Sequence, residues 1–587
     1  MEEPTTSTST NTTIINIHND DNTNSHSPQE DVPTDDPPTS YLTARAKSNT
    51  TFVKRLALVA SLSGVLFGYD TGVVSGCLIY VKTYMDLSHV QQEIVVSCTV
   101  LAAAISAAMG HYCMDMYGRK ATLVAASWIF IVGSGVMAVA WGGAQKGYEL
   151  LVLGRVLVGL AIGLASDAGP LYILECAPRK LRGSLTTLFN VAVVGGQVFA
   201  SIVCGILSYL PDDWNWRIML AFGAVPAFCQ LVGFDLLPLS PTWLVHQGRM
   251  EEAEAVLRRI RGHDGADSPE EEENNTHQEH HEEHQDTTPS DDNQQSLQRA
   301  TAIARRIHMV ANPLRHRLNR DHHDATHDEV IQELQEIQHE TEVAKSGHDV
   351  SLWQLWMNHK RVRRAMLLGC SLWAVSQLAG INTIMYYGAS IVRRTGLDGS
   401  KSQDIWITVP LNTMQLIGIC ICYAIIDKKG RRFTLLTSML LVEAGLLLIG
   451  YGFKVASPLV TLFALCLYLL AFGVGLSTMP YTMNSEIYPG KYSAICVSQA
   501  TSVFWLTNFV VSFTFLSLAD TLGDDGVFFL YSIIVAVAGV AFFIYVPETS
   551  GLSLPEIQRC FGKEKVMEEE SDNDDEDPIT APYHQVL

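Results

Sequence analysis

The sequence predicts an all-α membrane protein of twelve transmembrane helices in two pseudo-symmetric six-helix halves. Three observations carry that prediction. Apolar stretches of roughly 20 residues recur along the chain, a long polar insert divides them six and six, and landmark residues repeat between the halves at nearly one offset. A stretch of about 20 apolar residues crosses the hydrocarbon core as a helix, which satisfies its own backbone hydrogen bonds in lipid.

The expected spans are 56–80, 94–114, 121–141, 149–172, 186–209 and 216–238, then 364–391, 405–426, 433–453, 459–483, 494–518 and 527–546. Asp70 and Asn382 stand 312 residues apart, as do Gly118 and Gly430, while Glu175 and Glu486 stand 311 apart. One offset held across three landmarks points to related halves, an arrangement that in transporters places the binding site at their interface near the midplane.

The domains expected are a disordered tail over 1–55, a first six-helix half over 56–238, an insert over 239–363, a second half over 364–546 and an acidic tail over 547–587. In the insert, 249–260 reads as an amphipathic helix, and Val330, Ile331, Leu334 and Ile337 form a second apolar stripe at helical spacing. Short cytoplasmic helices flanking a disordered Glu/His/Gln segment are therefore expected there. The net charge of −21 resides in the tails and the insert, so it says little about the spans.

Lys and Arg set the orientation. Arg119-Lys120, Arg179-Lys180-Leu181-Arg182, Lys428 to Arg432 and Lys491 lie on one side, opposite Asp212-Asp213 and Asp524-Asp525, with Arg393, Arg394 and Lys401 against the trend. The positive-inside rule makes both termini and the insert cytoplasmic. A cleavable secretion signal is not expected, because the first apolar run begins beyond residue 50. The Asn-x-Ser/Thr matches at Asn11, Asn49 and Asn274 fall on the cytoplasmic side, where glycosylation is not expected.

Twelve cysteines are scattered without paired spacing, which reads as packing and not as a disulfide framework or a metal site. His277, His280, His281 and His284 read as part of a low-complexity loop. No metal or cofactor is expected. The absence of a nucleotide-binding loop disfavours ATP-driven transport, and no covalent chemistry is expected, so the chain is not read as an enzyme.

Asp70 interrupts the first span with no charged neighbour in sequence to offset it. A carboxylate at that depth costs about 2.5–3.5 kcal/mol on insertion scales and marks a functional group with a partner elsewhere in the bundle. Arg155, in the fourth span, is the best partner, since arginine stays charged and matches a carboxylate bidentately. Asp167 and Glu443 are also intramembrane acids, open to a proton relay or a wet cavity; Asp235 reads as interfacial.

The spans also carry amides and aromatic faces, groups that can replace the hydration of a polar ligand. Asn190 and Gln197 share a face of the fifth span, Asn382 and Tyr386 a face of the seventh, and Thr501, Trp505, Asn508 and Ser512 a stripe of the eleventh.

Several motifs resemble the sugar porter family of the major facilitator superfamily. They are Phe67 to Gly76, Gly110 with Asp115 and Gly118-Arg119-Lys120, Gly154 to Gly159, Arg179 to Gly183, Gln377 to Tyr387, Asp427 with Gly430-Arg431-Arg432, and Val546-Pro547-Glu548-Thr549. Gly380 to Tyr387, Asn484 to Pro489 and Gly195-Gly196-Gln197 look most like its proton-coupled myo-inositol transporters.

The resemblance implies the major facilitator fold and proton-coupled symport of myo-inositol or a related polyol or hexose by alternating access. It implies Asp70 and Arg155 as the proton-coupling pair. It also implies Asn190, Gln197, Gln377, Asn382, Tyr386, Gln415, Tyr481, Asn484 and Trp505 as substrate-binding residues. Asp115, Arg119, Glu175, Arg182, Asp427, Arg431 and Glu486 are implied as a cytoplasmic gating network. The partners implied are a polyol or sugar, a proton and the lipid bilayer, with no nucleic acid. The insert and tails are open to cytoplasmic partners, and the plasma membrane is the expected location, with an internal membrane as the alternative.

This sequence departs from the family pattern at Ser376, where a second glutamine is usual, and at Tyr481, where a tryptophan is. Leu239, Thr242 and Ser493 stand where the family carries charged residues. Two rival readings stay open: a passive hexose uniporter, and a nutrient sensor that binds ligand without flux.

Overall fold

The computed structural model describes residues 39–141, 143–178, 182–261, 330–342, 352–397, 399–489, 492–552 and 554–561. The expectations for most of both tails, the histidine run, Arg179, Lys180 and Lys491 lie outside these residues. Among the described residues the structure is helical, with no strand.

Among the described residues, eleven helices are long and apolar enough to cross a membrane. In the first half they are α1 (Phe52–Tyr84), α2 (His89–Tyr117), α3 (Arg119–Ala138), α4 (Gln145–Cys176), α5 (Arg182–Leu207) and α6 (Asp212–Asp235). In the second they are α7 (Lys360–Arg394), α8 (Lys401–Lys429), α9 (Arg431–Lys454), α10 (Pro458–Glu486) and a continuous run, Ile495–Tyr545. That run breaks at Gly523, whose φ of 79° is non-helical, so it holds two spans, α11 (495–522) and α12 (524–545). The total among the described residues is twelve, and the chain is a multi-pass membrane protein.

Helix ends run past the apolar stretches. Glu175 and Glu486, read from sequence as lying just after their spans, belong to the last turns of α4 and α10. The backbone keeps its helical hydrogen bonds beyond the hydrocarbon, where polar side chains are no longer costly. The inner face is the one carrying the insert; the outer face carries the α1–α2, α5–α6, α7–α8 and α11–α12 connections.

Glycines set how closely α1 and α5 approach. Gly64, Gly68, Gly72 and Gly76 recur every fourth residue along one stripe of α1 and face α5. A Cβ at Gly64 would lie 2.8 Å from the Phe189 carbonyl, and one at Gly72 2.9 Å from that of Gln197. Small residues at this spacing let two helices pack backbone to backbone.

On the inner face, Pro241–His246 and Met250–Arg261 are helices, as is 330–342. Trp243, Leu244, Val245, Ala253, Leu257, Val330, Leu334 and Ile337 form one buried cluster between them. Arg261 fixes this module with a bidentate pair to Glu333 (2.6 and 3.0 Å) and a bond to the Cys176 carbonyl at the end of α4 (3.3 Å).

Candidate transport site between the two halves

Asp70 sits midway along α1, 4% exposed, and Arg155 on α4 is 1% exposed. The two meet through Arg155 Nη1 and Asp70 Oδ1. The bidentate pairing expected from the residue types is not formed. Arg155 Nε donates instead to the Val95 carbonyl of α2 (3.2 Å), and Nη2 is buried without a hydrogen-bond partner. One guanidinium thus ties three helices while holding the carboxylate through a single donor.

The amides expected to bind substrate fall into two groups. In the first, polar atoms are buried and unpartnered: Gln197 Oε1 on α5, Gln415 Oε1 on α8 and Trp505 Nε1 on α11, joined by Asn508 Nδ2. Each such atom costs about 1–3 kcal/mol until something hydrogen-bonds to it. In the second group the amides are engaged. Asn382 Nδ2 donates to Gln377 Oε1, and Gln377 Nε2 donates to Ser376 Oγ (2.9 Å). Asn484 Nδ2 donates to the Pro480 (2.7 Å) and Gly369 (3.3 Å) carbonyls, and its Oδ1 accepts from the Tyr488 hydroxyl (2.6 Å). In this conformation Asn484 ties α10 to α7.

Aromatic rings line the same region. Tyr481 packs edge-on to Trp373 (4.4 Å between centroids), Trp373 to Phe504 (4.7 Å), and Phe504 to Trp505 (4.9 Å). Trp505 then reaches across the halves to Phe67 on α1 (5.4 Å), one turn from Asp70. Tyr386 is 3% exposed beside Thr71 and Asn508, within electrostatic reach of Asp70, and Asn190 is buried on α5 seven residues before Gln197.

The inner charges form two matching sets, one in each half. Arg119 holds Glu175 through Nε and Nη2 (both 2.9 Å) and Asp115 through Nη1 (3.6 Å). Arg431 holds Glu486 through Nε and Nη2 (both 3.2 Å) and Asp427 (3.4 Å). Each glutamate has a hydroxyl on its other oxygen, Ser240 for Glu175 and Thr549 for Glu486 (2.6 Å). Ser240 also caps the Pro241–His246 helix. Leu239 packs against the insert cluster, while Thr242 and Ser493 are half-buried. The Arg182 side chain lies outside the described residues.

Among the described residues, hydrogen bonds join the two halves on the outer face and near the midplane. Glu93 of α2, 1% exposed, accepts from Ser517 N and Oγ of α11 (both 2.8 Å), and His89 meets Asp520 (2.6 Å). Asn412 Nδ2 donates to Ser201 Oγ (2.7 Å), Lys401 to Asp212 (3.0 Å), and the Ala389 N–H to Ser75 Oγ (2.9 Å). The outer mouth is closed.

Sequence reasoning missed Glu93, Asn412, Ser240, Asp404 and Glu548. Glu93 stands just before the expected second span, where an acid reads as an ordinary interfacial residue. Glu548 accepts from the Arg431 (2.8 Å) and Arg432 (3.1 Å) backbone N–H groups, a helix-start role that its Pro-Glu-Thr context does not announce. Glu443 takes the Ser532 hydroxyl of α12 at 2.5 Å, and Asp167 lies over Gly110 of α2.

A family model described as "Sugar (and other) transporter" matches residues 56–312 and 315–561, nearly the whole described chain. The chain belongs to this sugar transporter family. It is 29% identical to the human proton myo-inositol cotransporter, over 89% of this chain and 84% of that one. To the galactose-proton symporter of Escherichia coli K12 it is 28% identical, over 89% and 98%. The solved structure of the proton:xylose symporter XylE bound to 6-bromo-6-deoxy-D-glucose superposes with a TM-score of 0.67 at 23% identity, over 87% of this chain and all of that one. That likeness shows the major facilitator fold. The protein is a sugar porter, not an enzyme.

Proposed function

We propose that this sugar porter couples the uptake of myo-inositol, or a related polyol or hexose, to the entry of a proton by alternating access, most simply at the plasma membrane. The observation that carries this reading is the buried Asp70–Arg155 pair, set one helical turn from the Phe67–Trp505 contact that bridges the halves. The unpartnered atoms of Gln197, Gln415, Trp505 and Asn508 offer both acceptors and donors, which is what a ring of hydroxyls requires. The names of the relatives, which include proton-coupled inositol and galactose carriers, support the same class of cargo.

The mechanism follows from charge. With Asp70 ionised, the ion pair holds α1 to α4 and, through the Val95 carbonyl, to α2. A proton on Asp70 removes the attraction that holds Nη1, loosening α1 against its neighbours while substrate bridges the Gln197 side to the Gln415 and Trp505 side. The two halves then rock about the bound ligand. Loss of the proton to the inner side restores the pair and resets the carrier. An ion pair is suited to this because its two protonation states differ in interaction energy by an amount the transport cycle can switch.

The test is uptake of radiolabelled myo-inositol into proteoliposomes with an acidic exterior. Wild-type protein accumulates substrate above the external concentration and loses that accumulation when an uncoupler is added. Asp70→Asn binds substrate but does not concentrate it. Accumulation by Asp70→Asn driven by external acid would overturn the coupling assignment.

A further inference from the structure

Asp404 stands in the first turn of α8, 1% exposed, and neither of its carboxylate oxygens has a hydrogen-bond partner. Four of its neighbours on α8 turn to the first half. Lys401 pairs with Asp212 and covers the Tyr80 ring, Ser402 donates to the Ser208 carbonyl, Ile405 packs against α1 at Gly76, and Trp406 covers Gly205 of α5. This turn is therefore a working part of the outer closure, and Asp404 is sealed behind it.

Charged groups lie near but do not engage it. Arg393, at the end of α7, is within electrostatic reach yet exposed, and it makes no ion pair with Asp404. Arg394 is taken by Asp524 at 2.6 Å, and Lys82 of α1 lies among Arg393, Arg394 and Lys401. On its own helix, the Gln403 N–H is capped by Ser400 Oγ (3.3 Å), and Gly399 flanks the Oδ1 side. A carboxylate ion enclosed with neither donor nor cation bears the desolvation cost of a charge without compensation, a cost the neutral acid avoids.

We propose that closing the outer gate takes up one proton at Asp404, and that opening the gate releases it as the carboxylate reaches water and Arg393. The proton comes from the outer solution and returns to it, so Asp404 makes the gate sensitive to external pH without adding to the protons carried inward. This deepens the transport reading, since it concerns the gate of the same carrier, and it holds whichever polyol is carried.

The experiment is hydrogen–deuterium exchange of the full-length protein in lipid nanodiscs without substrate. It follows outer-gate residues 86–97 and 513–523 across a pH series, corrected for the effect of pH on chemical exchange. In the wild type, protection rises as pH falls, by up to about tenfold per unit for one proton. Asp404→Asn, nearly isosteric and always neutral, stays protected and loses that slope. Arg393→Gln moves the transition to higher pH, because the opened carboxylate loses its cation. His89→Gln removes the imidazole that meets Asp520 in the closure and keeps a slope. Protection that does not vary with pH in the wild type, or a wild-type slope retained in Asp404→Asn, overturns the proposal. The Asp70→Asn uptake assay reads neither result, so the two assignments fail separately.

Discussion

Removing one member of the Asp70–Arg155 pair leaves the other as a lone buried charge, which costs about 3–5 kcal/mol. Arg155→Gln is therefore expected to lower the melting temperature sharply. Adding Asp70→Asn to it should recover most of the loss, because no uncompensated ion remains, although coupled transport stays absent. Thermal unfolding in detergent measures both. At the pocket, Gln415→Ala removes an amide whose Oε1 has no protein partner. It should raise KM about three- to tenfold, one hydrogen bond's worth, with stability retained. Asn484→Ala should do the reverse, because its amide is engaged between helices. The sequence made Asp70 and Arg155 legible because intramembrane charge is costly and therefore conspicuous. It could not separate Gln415 from Asn484: helical spacing says which face an amide occupies, not whether a neighbouring carbonyl has already claimed it.

Helix boundaries were less legible than helix existence. Asp520, Asp524 and Asp525 read as a loop between two spans, yet the chain stays helical on both sides of a single residue, Gly523. The acids sit at the outer interface, where Asp524 pairs with Arg394 and Asp520 with His89, so hydropathy mistakes a solvated helix end for a connection. Gly523 carries the bend because its φ of 79° is a conformation that side chains with a Cβ resist. Gly523→Ala should cost about 1–2 kcal/mol, read as a lowered melting temperature. The wide turn at Phe472–Leu476 in α10 likewise left no periodicity signal, since it holds apolar residues throughout.

For the whole molecule, the fixed offset between the halves revealed the architecture, and the structure repeats it in matching charge sets around Arg119 and Arg431. Which face is closed was not legible, because it depends on pairs such as Glu93 with Ser517 whose members lie 424 residues apart. Glu93→Ala removes an acceptor for two donors on α11 and should shift the population toward outward-open particles. Classification of cryo-electron microscopy images of the variant against wild type counts that shift, and an unchanged distribution would show that the contact does not hold the mouth shut.

The glycine stripe of α1 has a mechanical corollary. Because α1 and α5 interlock at Gly64, Gly68, Gly72 and Gly76, neither helix can slide along the other. Asp70 and Gln197 therefore ride on one stiff lever. With Asp70 taking the proton and Gln197 the cargo, as proposed, a strain born at the acid travels with the ligand's own contacts and is relieved only where that lever meets the opposite lobe, so the two are passengers on the same beam.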